Sequence, residues 1–303
     1  MGIVKIGSRG SKLALWQAQL VKDKLIQLDP TKSYETVIIK TKGDKILDSA
    51  LFRIGDKGLF TKEIEDELLA GTIDLAVHSM KDVPTVLPDG LVIGAVLERE
   101  RPWDVFLSLD RRPLRQLPKG KVVGTSSLRR QAQIRMIRPD LKIVNLRGNV
   151  DTRIRRMKEE GLDGIVLAYA GVVRMGYEKL IVEELDFLPA VGQGAVAVEM
   201  RKGDKEIAEF ARRLDDADSH LAVEAERSFL QRLEGGCQIP IAALARVEES
   251  DVVIEGLVAD LDGSRAYRDI MRGRREDAQE LGKKLAERLL DMGAEELLAS
   301  IRK

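Results

Sequence analysis

Apolar residues along the chain form short continuous runs that alternate with stretches of helical spacing. Ile3–Ile6 is such a run, and beyond the loop at 7–11 apolar residues recur with helical spacing up to Leu25. This order indicates a strand, a glycine-containing turn and a helix. Backbone N–H groups at a helix start attract anions, so Arg9 and Ser11 are candidate ligands for a carboxylate or phosphate. The spacing matches neither the Rossmann nor the P-loop pattern, and an ordinary capped helix is the alternative.

The stretch Asp74–Pro84 contains the sharpest change in this pattern. Its apolar run, Leu75–Val77, suits a strand covered on both faces, and the closing proline biases the residue before it away from helix. We therefore expect residues 78–82 in a loop beyond the carboxyl end of the strand, where open α/β sheets bind ligands. Asp82 would exchange protons there, and Lys81 would offer a charge to an anionic substrate. A Lys–Asp pair that caps a surface turn is the alternative.

A second strand and a long loop precede this central stretch. The strand is predicted at Thr36–Lys40, and a polar, glycine-containing loop extends from Lys42 to Gly58. That loop is long enough to be a mobile cover. Apolar positions from Phe60 onward then predict a core helix with Thr61 as its N-cap.

Residues 121–130 repeat the order of strand, glycine and hydroxyl turn, and helix that residues 3–15 show. The repeat continues at Asp163–Ala168, a predicted strand that occupies the same place in the second half as Asp74–Ser79 occupies in the first. A charged segment at 99–102 marks the crossing between the two halves. Two lobes of one design normally face each other across a cleft, so we expect a ligand cleft.

Arg129, Arg130, Arg147 and Arg153 fall at predicted strand ends and helix starts. A cation at a helix start opposes the helix dipole, and a bound polyanion would remove that conflict. Arginine forks hold carboxylates bidentately, which suits a substrate with several carboxylates. The alternative is a set of arginines on a solvated face.

A Pro/Gly hinge at 188–194 precedes a strand that returns the chain to the first lobe. Helical spacing up to Leu233, then alternating strands and a closing helix, predict a small α+β domain. Its entry loop carries Cys237, flanked by glycines and followed by Pro240, which makes an accessible sulfur on a shaped loop. We consider it a candidate nucleophile, against the alternative of an inert, buried cysteine.

Composition excludes several classes of protein. The 303 residues balance Lys+Arg 50 against Asp+Glu 50, so no overall field favours nucleic acid or a membrane surface. A single cysteine excludes an intrachain disulfide framework, and with His 2 it argues against a zinc site. No signal-like segment and no uncharged apolar run of about 18 residues is present, so we expect a cytoplasmic protein.

Seven phrases, taken together, closely resemble the porphobilinogen deaminase family, also called hydroxymethylbilane synthases. They are GSRGSKLALWQA, GDKGLFTKEIE, DLAVHSMKDVPT, VGTSSLRRQAQI, NLRGNVDTR, LPAVGQGA and LEGGCQIPIAAL, and they span nearly the whole chain. The resemblance implies an α/β fold with two periplasmic-binding-protein-like (type II) lobes around a cleft and a small α+β C-terminal domain. The implied domains are 1–98 with 195–216, 99–194, and 217–303.

The resemblance also implies a function. A transferase of this family condenses four porphobilinogen molecules head to tail into hydroxymethylbilane, with loss of ammonia at each step, on a dipyrromethane primer. The primer would be bound through a thioether to Cys237, and Asp82 would be catalytic, stabilising the positive charge of an azafulvene. The other implied cofactor contacts are Lys81, Asp82, Thr125, Ser126, Ser127, Arg129, Arg130 and Gly171. The implied substrate contacts are Arg9, Ser11, Lys57, Phe60, Arg147, Arg153, Arg174 and Gln193, with no metal.

The partners implied are porphobilinogen alone, with no nucleic acid or membrane, and the protein would be a cytoplasmic monomer. A non-enzymatic anion-binding module of periplasmic-receptor type is the alternative. Two lobes would explain the arginines equally well, but such a module explains neither the lone cysteine on a glycine turn nor the lack of an export signal.

Overall fold

A computed structural model describes residues 2–45, 58–233 and 239–302. The chain divides into two compact units, Met1–Glu100 with Ala195–His220, and Arg101–Gly194 with Leu221–Lys303. Among the described residues, no helix combines the length and the apolar character needed to cross a membrane.

The first unit is built on a five-stranded sheet. Its strands are β1 (Ile3–Ser8), β2 (Ser33–Ile38), β3 (Leu75–Ser79), β4 (Leu91–Val96) and β10 (Val196–Arg201). Its helices are α1 (Lys12–Leu28), α2 (Lys42–Lys45), α3 (Lys62–Leu69) and α7 (Lys205–Leu214). The strand order is β2-β1-β3-β10-β4, in which β2, β1 and β3 are parallel and β10 is antiparallel to both of its neighbours.

Helices cover both faces of this sheet, and the sequence explains why. On one face α1 buries a stripe that includes Ala18, Val21 and Leu25, with α7 beside it. On the other face α3 buries Ile64 and Leu68. Because both faces are covered, β3 is buried throughout its apolar run, as a continuous run predicts.

The end of β3 differs from the sequence prediction. We expected residues 78–82 in a loop, but β3 runs through Ser79 and the chain continues in a 3-10 turn at Met80–Asp82. His78 is therefore buried inside the sheet, where its Nε2 lies 2.9 Å from Glu199 Oε2 on β10. The strand extends further than its apolar run because a carboxylate on the neighbouring strand satisfies the imidazole.

A second five-stranded sheet forms the core of residues 101–194. Its strands are β5 (Asp104–Leu107), β6 (Val122–Gly124), β7 (Lys142–Val144), β8 (Gly164–Ala168) and β9 (Ile181–Leu185). Its helices are α4 (Leu128–Ile137), α5 (Val150–Glu159) and α6 (Tyr169–Arg174). The order is β7-β6-β8-β5-β9, with β7, β6 and β8 parallel and β5 antiparallel to its neighbours.

The two sheets share one design. In each, three parallel strands are followed by one reversed strand and a fifth strand on its far side. In each sheet the reversed strand is the first one after the chain passes from one unit to the other. β10 follows residues 101–194, and β5 follows residues 1–100. The repeated order of strand, turn and helix that the sequence predicted is therefore confirmed.

The C-terminal part has its own antiparallel three-stranded sheet, in the order β11-β12-β13. The strands are β11 (Ile241–Glu248), β12 (Asp251–Ala259) and β13 (Ala266–Arg274), and the helices are α8 (Ala217–Arg232), α9 (Ala278–Leu289) and α10 (Glu295–Arg302). Phe229, Ile254 and Leu285 are at the centre of its core. Gly282 permits close packing of α9 on α8, because a Cβ there would meet the Ala225 carbonyl oxygen at 2.1 Å.

The predicted α/β class with a small α+β domain is confirmed. Two hydrogen bonds join this α+β part to residues 101–194: Ala243 N donates to the Pro189 carbonyl at 3.2 Å, and Gly192 N donates to the Glu226 carboxylate, Oε2, at 2.7 Å. The division into three domains at 98, 194 and 216 stays a prediction, since the compact units are two.

Candidate active site

In the first unit, the predicted site residues lie at one edge of the sheet. β1 and β3 are parallel neighbours, with Ile6 opposite Leu75, so the segments that follow them begin at the same edge. Ser11 caps α1 there, its Oγ accepting a hydrogen bond from Ala14 N at 3.3 Å. Arg9 precedes it, and the turn beyond β3 carries Lys81 and Asp82, as the sequence predicted for the carboxyl edge of the sheet.

The turn that carries Asp82 is anchored while its two charged side chains are exposed. Met80 is buried, and its N–H donates to the Ala195 carbonyl at 3.0 Å. Val83 is also buried, and its N–H closes the turn onto the Met80 carbonyl at 3.2 Å. Lys81 and Asp82 between them face solvent. The carboxylate is thus held on a fixed backbone yet accessible to a ligand.

Two side-chain contacts at this edge were not foreseen. The guanidinium carbon of Arg9 lies 4.2 Å from the ring centroid of Phe60, a cation–π contact that orients the arginine. Gln17, buried on α1, donates from Nε2 to Ser79 Oγ at 2.9 Å. The hydroxyl is 3.1 Å from the amide oxygen in return. These bonds tie the helix start and the end of β3 together.

In the second unit, the corresponding edge gathers another set of predicted residues. β6 is parallel to β7 and to β8, so the segments after them meet at one edge. Thr125, Ser126 and Ser127 follow β6, Arg147 lies in the segment after β7, and the buried Gly171 lies in α6 after β8.

The hydroxyl turn after β6 has one unsatisfied group. Thr125 Oγ1 accepts from Ser127 N at 3.3 Å, and Ser127 Oγ accepts from Arg130 N at 3.5 Å as the N-cap of α4. Ser126 Oγ is buried and has no hydrogen-bond partner among the described residues. A buried hydroxyl without a partner is costly, which marks this turn as a place for a ligand acceptor.

The start of α5 and the end of α6 place two further arginines. Arg153, in the first turn of α5, donates from Nε to the Gly148 carbonyl at 2.7 Å. Tyr177 donates from its hydroxyl to Asp151 Oδ1 at 2.7 Å, which holds the same helix start. Arg174 donates from Nη2 to the Gly194 carbonyl at 3.0 Å. The start of α5 is therefore braced by Arg153 within the helix and by Tyr177, which follows α6.

Arg129 and Arg130 have a different environment, a buried cluster around Asp104. Asp104 is the first residue of β5, opposite Ala168 at the end of β8, so it lies at the same edge. Arg129 Nη1 lies 2.6 Å from its Oδ2, and Arg130 Nη2 lies 2.8 Å from its Oδ1. Gln193 Nε2 also donates to Oδ1, at 2.9 Å.

Backbone carbonyls complete this cluster. Arg129 Nη1 donates to Leu188 O at 2.6 Å, and Arg130 Nη1 donates to Val166 O at 3.1 Å. Gln193 Nε2 donates to Pro102 O at 2.6 Å. The guanidinium groups thereby connect α4 to the hinge at 188–194 that the sequence indicated.

The charges in the cluster are strongly coupled. Burial by itself would raise the pKa of Asp104, but the charges and hydrogen bonds of Arg129 and Arg130 outweigh it and hold that pKa well below its usual range. Burial lowers the pKa of Arg129, and the neighbouring Asp104 charge opposes that effect. One carboxylate faces two guanidinium groups, so the cluster retains a positive charge that favours an anion at this edge.

Comparison with known proteins settles the family. The model described as "Porphobilinogen deaminase, dipyromethane cofactor binding domain" matches residues 4–209, and "Porphobilinogen deaminase, C-terminal domain" matches residues 220–291. The chain belongs to the porphobilinogen deaminase family. A porphobilinogen deaminase of Pelotomaculum thermopropionicum is 53% identical over 302 residues, 99% of this chain and 97% of that protein. One of Carboxydothermus hydrogenoformans is 54% identical over 303 residues, with the same coverage.

A distant likeness to a solved structure was also found. The VFT2 domain of Bordetella pertussis BvgS, a double mutant, is 15% identical, with a TM-score of 0.43 over 70% of this chain and 86% of that domain. The resemblance to the porphobilinogen deaminase family that the sequence motifs carried is confirmed, and the non-enzymatic receptor module is set aside.

Within each unit, the side chains at the edge are of kinds that suit the dipyrromethane cofactor of this family. Each pyrrole of that group carries acetate and propionate. The edge of the first unit offers a hydroxyl, a guanidinium group and a lysine amine, and the edge of the second offers hydroxyls and guanidinium groups. The orphaned Ser126 hydroxyl supports the fit, because a carboxylate oxygen would satisfy it. Cys237 and Lys57, the predicted thioether residue and one substrate contact, lie outside the described residues.

Asp104 is the residue that sequence reasoning missed. It stands in the motif Arg101–Leu107, directly after the charged crossing, where we assigned no site role. An acidic residue at the head of a fully apolar strand was the available signal, since a buried carboxylate requires cationic partners. Its partners turned out to be the same arginines that the sequence singled out.

Proposed function

We propose a division of roles within the reaction of this family, in which Asp82 is the catalytic carboxylate and the cations around it hold carboxylates. The chain is a transferase that joins four porphobilinogen molecules head to tail into hydroxymethylbilane. One ammonia leaves at each addition. The observation that supports the assignment most directly is the anchored turn Met80–Asp82, which presents an exposed carboxylate at the sheet edge.

The role of Asp82 follows from its charge and its support. A carboxylate on a fixed backbone accepts hydrogen bonds from pyrrole N–H groups and opposes positive charge as it develops, without reorganising first. When bound, the dipyrromethane supplies the pyrrole carbon to which the first substrate is joined. Lys81, beside Asp82 in the same turn, would pair with substrate carboxylates.

Anion binding is assigned separately to each unit. In the first unit, Arg9 and Ser11 at the start of α1 would bind acetate or propionate, and Phe60 would keep the Arg9 guanidinium in orientation. In the second unit, Ser126 and Arg147 would contact carboxylates directly.

The buried arginines take a less direct role in this proposal. Arg129 and Arg130 are committed to Asp104, so they would act through the positive charge of the cluster and through the shape of the α4 start. Gln193 belongs to the same cluster. Arg153 is near the start of α5 and Arg174 is at the end of α6, and we propose that both bind carboxylates of the substrate. Gly171 would permit close approach of the cofactor to the backbone.

Attachment of the cofactor is assigned to Cys237, on sequence grounds. It is the single cysteine of the chain, and glycines precede it in the motif LEGGCQIP. A thiolate on such a loop is a strong nucleophile. Lys57 is assigned to substrate carboxylates on the same grounds.

We also propose that the protein works as a cytoplasmic monomer on a small-molecule substrate, without nucleic acid or membrane. The balanced charge, Lys+Arg 50 against Asp+Glu 50, supports this because it provides no extended basic surface. Light scattering of the purified protein tests the oligomeric state, and a mass of twice the 33.7 kDa chain would contradict it.

The experiment for the catalytic role compares Asp82→Asn with Asp89→Asn. Both aspartates are exposed, but Asp89 lies in the turn before β4 rather than at the site edge. Loss of a positioned acid–base group costs about 10² to 10⁴ in rate, so Asp82→Asn should lose turnover by that factor while its circular dichroism is unchanged. Asp89→Asn should keep the parent kcat. Near-parent turnover by Asp82→Asn would remove this residue from the mechanism.

A further inference from the structure

A buried group of ionisable side chains lies behind the turn that carries Asp82. His78 on β3, Glu199 on β10 and Glu65 on α3 are exposed by only 5%, 0% and 5%. His78 Nε2 and Glu199 Oε2 are 2.9 Å apart. His78 and Glu199 are diagonal neighbours on one face of the sheet, since Ala197 is opposite His78 and Glu199 is opposite Ala76. Glu65 lies on α3, which packs against β3 and β10 on the face that also carries Ala76.

The hydrogen bonds of this cluster leave acceptors unsatisfied. Glu199 Oε1 and Glu65 Oε1 are both buried without a hydrogen-bond partner among the described residues. One imidazole faces two carboxyl groups. If both carboxyls were ionised, the cluster would hold a buried negative charge that even an imidazolium could not cancel, which is a costly arrangement.

Among the described residues, the elements that pack against α3 supply no further charge to compensate the cluster. β1, β3, β4 and β10 pack against α3. β4 offers only apolar residues and glycine, and β1 offers Lys5, which is exposed. On β10, Arg201 is engaged at the other end, 2.9 Å from Asp204 and 3.5 Å from Asp74. On α3 itself, the neighbouring Asp66 is exposed and of the same sign as Glu65.

The direction of the Glu65 pKa shift agrees with this excess of negative charge. Burial raises its pKa, and the negative charge of Glu199 adds to the rise. The Thr61 side chain and the charge of His78 oppose the rise in the Glu65 pKa without cancelling it. Glu65 therefore keeps its proton to higher pH than an exposed glutamate.

The cluster joins the elements that carry the first-unit site. β3 leads from His78 directly into the turn at Met80–Asp82, and β10 begins just after Ala195, whose carbonyl anchors that turn. α3 starts next to Phe60, the ring beneath Arg9. A second negative charge in the cluster would repel α3 from β3 and β10. It would thereby displace the turn at Met80–Asp82 and the start of α3 beside Phe60.

We propose that Glu65 is a positioning residue for Asp82, because it holds a proton that keeps the cluster with His78 and Glu199 compact. The inference rests on the catalytic role proposed for Asp82. Ionisation of Glu65 loosens the packing of α3 on β3 and β10, and the turn that carries Asp82 then loses its fixed position. Displacements of about 1 Å can cost on the order of 10²-fold in rate.

The test is the pH profile of kcat for Glu65→Gln, with Asp66→Asn as the matched control on the same helix. Glutamine copies the shape of a protonated glutamate and cannot ionise. The parent and Asp66→Asn should lose kcat as pH rises through the raised pKa of Glu65, by up to about tenfold per pH unit as the protonated fraction falls. Glu65→Gln should lack that decline while its kcat at lower pH and its KM stay close to the parent values.

A second variant keeps the inference falsifiable if Glu65→Gln folds poorly. Glu199→Gln removes the negative charge that adds to the rise in the Glu65 pKa, and its amide oxygen can still accept from His78, so the decline in kcat should move to lower pH. A decline that persists in Glu65→Gln and keeps its parent position in Glu199→Gln would overturn the inference, as would altered unfolding without any change in the kcat profile. Asp82→Asn separates the two claims: if it is inactive while Glu65→Gln keeps the parent profile, only the positioning role fails.

Discussion

Arg130 holds Asp104 through two nitrogens, with Nε at 3.0 Å and Nη2 at 2.8 Å from Oδ1. This fork joins the start of α4 to the start of β5 in an environment from which water is excluded. A side chain fixed in this way is not a mobile ligand. Its main contribution is to set the geometry and the charge of the edge where the hydroxyl turn 125–127 lies.

Replacing Asp104 by asparagine should therefore destabilise the protein. The amide leaves two buried guanidinium groups without a countercharge, and breaking a buried ion pair costs about 3–5 kcal/mol in free energy of unfolding. Chemical denaturation measures the loss. Asp110→Asn is the control, because Asp110 is exposed and pairs with Arg112 at the surface, and it should change the free energy by less than about 1 kcal/mol.

Asp104→Asn also tests how the contribution of Asp104 to the free energy of unfolding depends on pH. The folded-state pKa of Asp104 is depressed, so its contribution to stability is present above the unfolded pKa, near the ordinary value of 3.8, and is lost as pH falls toward the folded pKa. The difference in unfolding free energy between parent and Asp104→Asn should shrink on acidification. A difference that stays constant from neutral pH to strongly acid pH would contradict the ion cluster.

Two of the buried strands were accessible from sequence because each has a local signal. The run at Leu75–Val77 and its counterpart at Asp163–Ala168 predicted two buried strands in equivalent positions, and both sheets contain them. The carboxyl edges then followed from the rule that parallel strands present their following segments on one side. Local periodicity sufficed for this part of the fold.

The buried polar contacts were not accessible, because the partners are far apart in the sequence. His78 and Glu199 are 121 residues apart, and Gln17 and Ser79 are 62 apart. The apolar run gave no reason to extend β3 as far as Ser79. Only the folded sheet shows that a carboxylate on β10 meets the imidazole and that the site turn begins at Met80.

Substitutions of the arginines should fall into two groups, those that impair assembly of the primer and those that impair elongation. We expect Arg129→Leu or Arg130→Leu to impair assembly of the dipyrromethane and to lower stability by about 3–5 kcal/mol, because each leaves Asp104 under-compensated. Arg147→Leu or Arg153→Leu should assemble the primer but stall elongation. Losing one partner of a desolvated pair costs roughly 2–5 kcal/mol, enough to trap an intermediate.

Intact-mass spectrometry after brief exposure to porphobilinogen distinguishes the two groups. Arg155→Leu on α5 is the control, because Arg155 is 66% exposed and pairs with Glu159 within the helix. It should assemble primer and elongate like the parent. Parent-like assembly and elongation by all four site variants would show that these arginines do not handle carboxylates.

Cys237 gives the prediction that depends least on geometry, since it concerns one covalent bond. A thioether survives denaturation, whereas a ligand held by arginines alone does not. Denatured protein should therefore weigh more than its sequence by two linked pyrrole units. Cys237→Ser should lack this increment and lose turnover, because a hydroxyl is a far weaker nucleophile than a thiolate at neutral pH.

The control for this variant is Asp82→Asn, which should keep the covalent increment although it turns over poorly. The two variants thus separate attachment of the primer from its use. Tetrapyrrole synthesis by protein that carries no covalent adduct, either before or after exposure to porphobilinogen, would exclude the thioether. Retention of the full increment in Cys237→Ser would instead place the attachment on another side chain, because this cysteine is the only one in the sequence.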